Sequence, residues 1–146
     1  MLIITTSSEK AKDALRLGAN KAIIIGNSEE MLKHSGSFDL IIDTASSKHD
    51  LGRFLELPKR NGKMVMVGLP SQPLEIRPFL IVDGHRILAG SGLGGIKGTQ
   101  EMLDYCEEYG IVSDVEVIPI QKVNEAYERI IKGDVKYMFV IDMSSI

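Results

Sequence analysis

Four hydroxyl residues stand in a row near the start of the chain, Thr5, Thr6, Ser7 and Ser8, followed by Glu9 and Lys10. Hydroxyls, free backbone N–H groups at a helix start and an ammonium group together suit a phosphate. Before them, Leu2, Ile3 and Ile4 read as a short buried strand. After them, Ala11, Ala14 and Leu15 recur at helical spacing. In an open α/β sheet such a turn lies outside the carboxyl end of a strand, where ligands bind. A dinucleotide domain that selects NAD places Asp or Glu at the end of its second strand to bind the ribose 2′-hydroxyl. Thr5 and Thr6 occupy that place here, so a 2′-phosphate meets no carboxylate, and Lys10 offers it a positive charge. The plain alternative is a polar strand–helix turn with Ser7 or Ser8 as N-cap.

Other residue sets carry weaker chemistry. Gly90-x-Gly92-x-x-Gly95 matches a dinucleotide fingerprint by letter, with Glu116 downstream. Yet Ile96, Lys97 and Gly98 separate it from a helix expected to be capped by Thr99, and little chain remains to complete the unit. A flexible glycine loop at a sheet edge is the other reading. Asp39 and Asp43 suggest a phosphoacceptor receiver domain, but a receiver needs an acidic pair where Thr5 and Thr6 stand. Asp43 then reads as a strand-end acid facing the ligand crevice or capping the next helix. His34, His49 and His85 are far apart, with no carboxylate partner pattern, and read as loop or surface residues. Cys106 falls on an apolar helix face and reads as core. Ser91 lacks the flanking pattern of a nucleophile elbow.

These residues need a scaffold of alternating strands and helices. Strands are expected at 2–4, 22–25, 38–43, 63–68, 86–89, 115–119 and 137–142. Helices are expected after Ser8, from Ser28, around Leu51–Leu55 before Pro58, from Thr99 to Gly110, and over 123–131 to Gly133. Asn61-Gly62 reads as a turn, and 72–84 as loop plus a broken helical turn. The stretch Lys63–Gly68 is apolar throughout rather than alternating, as in a strand covered by helices on both faces. The alternation implies a mostly parallel sheet. The chain has 146 residues, 44% hydrophobic and 25% charged, with net charge −3, which suits one globular domain. No basic cluster suggests nucleic acid, no apolar run approaches a membrane span, and one cysteine excludes an internal disulfide. Without a signal peptide, the expected location is cytoplasmic.

Taken in order, several segments resemble zinc-dependent medium-chain alcohol dehydrogenases, nearest the NADP-using cinnamyl alcohol dehydrogenase branch. They are Thr5–Lys10, Leu17-Gly18-Ala19, Ile41-Ile42-Asp43-Thr44-Ala45, Gly62–Gly68, Ile87–Ser91 and Tyr137–Asp142. The resemblance covers essentially the whole chain but only the back part of that family. It implies a Rossmann-like, mostly parallel α/β sheet that is incomplete, lacking its first strand and glycine-rich turn. Residues 1–114 would form a partial NADP-binding domain, and 115–146 would help complete the substrate domain. It further implies that Thr5, Thr6, Ser7 and Lys10 hold the adenosine 2′-phosphate and that Thr44 lies beside the cofactor. Val67, Gly68, Ser91, Gly92 and Leu93 would sit by the nicotinamide. The segment Ile87–Gly95 would be the edge strand pairing with its copy in a homodimer. The family's zinc ligands and proton relay would precede Met1, so no metal or catalytic residue is assigned here.

In a sheet ordered 3-2-1-4-5-6 the missing first strand is central. The gap is expected to close by direct pairing of Leu2–Thr5 with Phe38–Asp43, or to be filled from another chain. Bare, solvated edges on both strands contradict that expectation. The functional expectation is a fragment of an NADP-dependent alcohol dehydrogenase that supplies cofactor binding and dimerisation and is inactive alone. The alternatives are a non-catalytic nucleotide-binding or dimerisation module and, last, a receiver-like domain.

Overall fold

Seven strands and six α-helices follow one another along the chain in the computed structural model, which describes residues 1–146. Two compact units divide it at Gly92/Leu93. The first unit holds β1 (Leu2–Thr5), α1 (Ser8–Arg16), β2 (Lys21–Ile24), α2 (Ser28–Leu32), β3 (Phe38–Asp43), α3 (Leu51–Leu55), β4 (Pro58–Met66), α4 (Phe79–Val82) and β5 (Ile87–Gly90). The second holds α5 (Ile96–Glu108), β6 (Val115–Pro119), α6 (Val123–Lys132) and β7 (Met138–Asp142).

Every strand pairing is parallel, as the alternation predicts. The first unit carries a pair β1–β2 and a triple β3–β4–β5; the second carries the pair β6–β7. This is a partial Rossmann-like α/β arrangement. Its core is small. Ile23, Met31 and Leu57 form one buried cluster, and Leu51, Leu55 and Met64 another. Burying such a side chain contributes about 1.5–3 kcal/mol.

The expected closure between β1 and β3 does not occur. β1 bonds only β2, and β3 bonds only β4. Leu2 and Ile4 from β1, and Phe38 and Ile41 from β3, all pack on the cluster of Ile23, Met31 and Leu57. That shared floor anchors each strand. Between them lies an open cavity of about 650 Å³, lined by Met1–Ile4, residues 37–42 and Thr44. Leu40 is 52% exposed and Ile42 61%, so the β3 edge is largely solvated. β1 is half-buried rather than buried.

Local chemistry moves several boundaries. Asn27, not Ser28, caps α2, its side chain accepting from Glu30 N–H. The expected turn at Asn61-Gly62 is an irregularity inside β4. Phe38 pairs with Pro58, but Leu40 pairs with Lys63, so the longer strand bulges. Asn61 takes φ 61° there. A β-carbon at Gly62 would lie 2.8 Å from Lys59 O, so only glycine fits the inner wall of the bulge. α3 ends at Leu55, before Pro58, which already begins β4.

In the second unit, α5 starts at Ile96 with Gly95 as N-cap, four residues before the expected Thr99 cap. Thr99 instead donates its hydroxyl back to Gly95 O, a local bond available to hydroxyl residues inside a helix. Cys106 is only half-buried, and Met102 and Leu103 beside it are about half exposed, so that helix face is not core. The amphipathic face of α6 buries only Ala126, while Tyr127, Ile130 and Ile131 remain exposed. α6 ends as expected at Gly133, which takes φ 71°.

Candidate functional site

The turn after β1 is built by its cap. Ser7 has extended backbone, and its Oγ accepts from Lys10 N–H at 3.2 Å, which starts α1. That use leaves the Ser7 hydroxyl proton free to donate. Thr5 and Ser7 are half-buried, while Thr6, Ser8 and Lys10 are exposed. The Thr5 carbonyl is taken by Ile25 N–H, but the hydroxyl row stays open to solvent. Lys10 makes no ion pair, so its charge is unspent. The arrangement is a set of donors and one free cation with no carboxylate at the strand end, which can accept a phosphate dianion.

The turn after β3 is built differently. Asp43, the last residue of β3, has a side chain only 10% exposed, and His49 has one only 9% exposed. Asp43 Oδ1 accepts from Ala45 N–H at 3.0 Å, and Oδ2 lies 2.9 Å from His49 Nε2. His49 Nδ1 lies 2.9 Å from Ser47 O. The imidazole meets the Phe54 ring edge-on, centroids 5.6 Å apart. Asp43 O accepts from both Val67 N–H at 2.8 Å and Gly68 N–H at 3.0 Å, which ties the ends of β3 and β4. Gly68 approaches so closely that a β-carbon there would lie 2.3 Å from Ala45 O. The glycine is required by that approach.

Two details differ from expectation at this turn. His49 lies in a loop, as expected, but it has a carboxylate partner, which the chain brings back across six residues. Asp43 does not cap α3; Asp50 does, accepting from Gly52 and Arg53 N–H. With both its oxygens engaged, Asp43 is also not the open phosphoacceptor a receiver needs. The available signal was a strand-ending acid followed by a short hydroxyl-rich loop and a histidine, all facing a glycine at the end of the next strand. His34 does sit near the surface, stacked with Phe38, and His85 is exposed.

Of the other residues singled out, Thr44 is exposed beside the cavity between β1 and β3, and Val67 is 43% exposed past the end of β4. Ser91 follows β5, with its N–H on Met66 O, and Gly92 is exposed. Leu93 opens the second unit, fully exposed. The turns after β1, β3, β4 and β5 all lie at carboxyl ends of parallel strands, where this class of sheet binds ligands. The glycine loop does run straight into α5 once Gly95 is its cap. Even so, no atom comes within 4 Å of a β-carbon placed at Gly92, Gly94 or Gly95, so no close approach demands those glycines. No three His, Cys, Asp or Glu side chains gather as a metal site. No helix is long and apolar enough to cross a membrane.

Comparison with known proteins gives the scaffold relatives. A family model for zinc-binding dehydrogenases matches residues 2–108. A mannitol dehydrogenase of Petroselinum crispum is 46% identical over 144 residues, covering 98% of this chain and 43% of that protein. Among solved structures, a cinnamyl alcohol dehydrogenase of Sorghum bicolor superimposes with TM-score 0.90 at 41% identity, over 98% of this chain and 41% of that one. A cinnamyl alcohol dehydrogenase of Helicobacter pylori complexed with NADP(H) gives TM-score 0.81 at 29% identity, over 98% and 41%. The chain therefore spans about two fifths of the length of the relatives it matches.

Proposed function

The chain belongs to the zinc-binding dehydrogenase family, and on that premise we propose that it is the cofactor-gripping part of an NADP-dependent alcohol dehydrogenase. The observation that carries this reading is the turn after β1, with open hydroxyls, an unpaired Lys10 and no acid at the strand end. Thr5, Thr6, Ser7 and Lys10 would hold the 2′-phosphate of the adenosine. Thr44 would flank the dinucleotide at the switch point. Val67, Gly68, Ser91, Gly92 and Leu93 would lie along its nicotinamide half. Bound NADP(H) supplies a nicotinamide that exchanges hydride with an alcohol or aldehyde carbon.

The division of labour runs with the sequence: residues 1–114 serve the cofactor, and 115–146 help complete a substrate domain. Zinc does not fit this chain, since no three ligand side chains converge. Polarisation of the substrate oxygen by a metal has to come from outside these residues, and the chain alone lacks turnover. The outer edge of β5 is unpaired and Ile87 is 48% exposed, which supports pairing of Ile87–Gly95 with a second copy. A nucleotide cofactor of this kind fits a cytoplasmic protein. A non-catalytic nucleotide-binding or dimerisation module would show the same grip without any partner that restores hydride transfer.

Fluorescence titration with NADPH and NADH tests the reading. NADPH is expected to bind about tenfold tighter, near 1.4 kcal/mol, and Lys10→Ala to remove most of that preference. Equal affinities, or a preference untouched in Lys10→Ala, refute it.

A further inference from the structure

We propose that Asp43 and His49 form a positioning pair, one that fixes the turn after β3 so that Thr44 and the Gly68 backbone present a set surface to the nicotinamide half of the dinucleotide. The inference rests on the cofactor reading above and assigns it a device of its own.

The geometry points there in three steps. First, the pair is nearly dry, with side chains 10% and 9% exposed. Taking an acid and an imidazole out of water brings little net stability, because desolvation offsets their attraction. What such a pair does provide is a defined local shape. Second, it closes the turn at three points: Asp43 Oδ1 on Ala45 N–H, Asp43 Oδ2 on His49 Nε2, and His49 Nδ1 on Ser47 O. Both ring nitrogens lie 2.9 Å from oxygen atoms. Third, that shape is transmitted. Ala45 O lies 2.3 Å from where a β-carbon of residue 68 would be. The Asp43 carbonyl takes the Val67 and Gly68 N–H groups. A shift of Ala45 therefore moves the end of β4, with Thr44 exposed between the two. No side-chain hydrogen bond or ion pair of Asp43 or His49 reaches the turn after β1.

The test compares two ligands on the full 146-residue chain. NADPH spans both halves of the site; adenosine 2′,5′-bisphosphate reaches only the phosphate turn. His49→Phe keeps a ring against Phe54 and removes both ring nitrogens. It is expected to weaken NADPH about tenfold and to leave the bisphosphate within about twofold. His49→Gln, which keeps one donor toward Asp43, is expected to recover part of the loss. Amide hydrogen exchange at Ala45 is expected to speed up in His49→Phe. Equal weakening of both ligands in His49→Gln, or unchanged NADPH affinity in His49→Phe, overturns the inference. Wild-type chain that binds neither ligand refutes the cofactor reading instead. In that case unchanged Ala45 exchange in His49→Phe overturns the positioning of the turn, and faster exchange supports it.

Discussion

The turns after β1 and β3 begin from nearly the same letters. After Thr5 one reads Thr6-Ser7-Ser8 and then Glu9-Lys10; after Asp43 the other reads Thr44-Ala45-Ser46-Ser47 and then Lys48-His49. Both leave the carboxyl end of a parallel strand. They differ in the residue that ends the strand, Thr5 in one and Asp43 in the other. The carboxylate of Asp43 turns its loop inward, taking a backbone N–H and the imidazole. The neutral Thr5 leaves its loop outward, with hydroxyls and a cation unspent. One strand-end side chain thus decides whether a turn's donors serve the fold or wait for a ligand.

The largest effect is expected where the inward turn is tightest. Gly68→Ala drives a β-carbon into Ala45 O at 2.3 Å. Backbone is on both sides and cannot yield cheaply, so a loss of about 3 kcal/mol is expected in urea unfolding. A loss under about 0.5 kcal/mol would mean the contact relaxes freely. Asp43→Ala leaves the Ala45 N–H and His49 Nε2 without their partner. A loss of about 2 kcal/mol in the same measurement follows from unpaired buried donors.

Thr5→Asp attacks the comparison from the other side by giving the outward turn the acid of the inward one. NADPH affinity is expected to fall about tenfold and NADH affinity to hold or rise, about 1.4 kcal/mol in preference. Isothermal titration reads both. The smallest effect is at the cap. Ser7→Ala removes the acceptor for Lys10 N–H, for a loss near 1 kcal/mol in thermal unfolding.

Much of the scaffold was legible because it follows from local rules. β3 and β6 fall where apolar runs bounded by polar residues put them, Ser7 caps α1, and Gly18 and Gly133 close α1 and α6 at positive φ. The hydroxyl row after β1 was legible too, since its residues are contiguous. What was hidden depends on contacts between segments. Asp43 and His49 meet only because the loop folds back under Gly68, and no periodicity signals that. The bulge at Asn61-Gly62 reads as a turn until β3 supplies the register. Gly95 outcompetes Thr99 as the start of α5, where a hydroxyl cap was expected. The unpaired facing edges of β1 and β3, which share one core cluster, are not encoded by pairing propensity alone. The exposed faces of α5 and α6 show the same limit, for their apolar stripes were clear and their covering was not.

The proposed phosphate grip of the outward turn is tested most directly by amide chemical-shift mapping. The isotope-labelled chain is titrated with adenosine 2′,5′-bisphosphate and, separately, with adenosine 5′-phosphate. With such a grip, shifts specific to the bisphosphate concentrate on Thr6–Lys10. Shifts centred on Gly92–Gly95, or identical maps for the two nucleotides, contradict it.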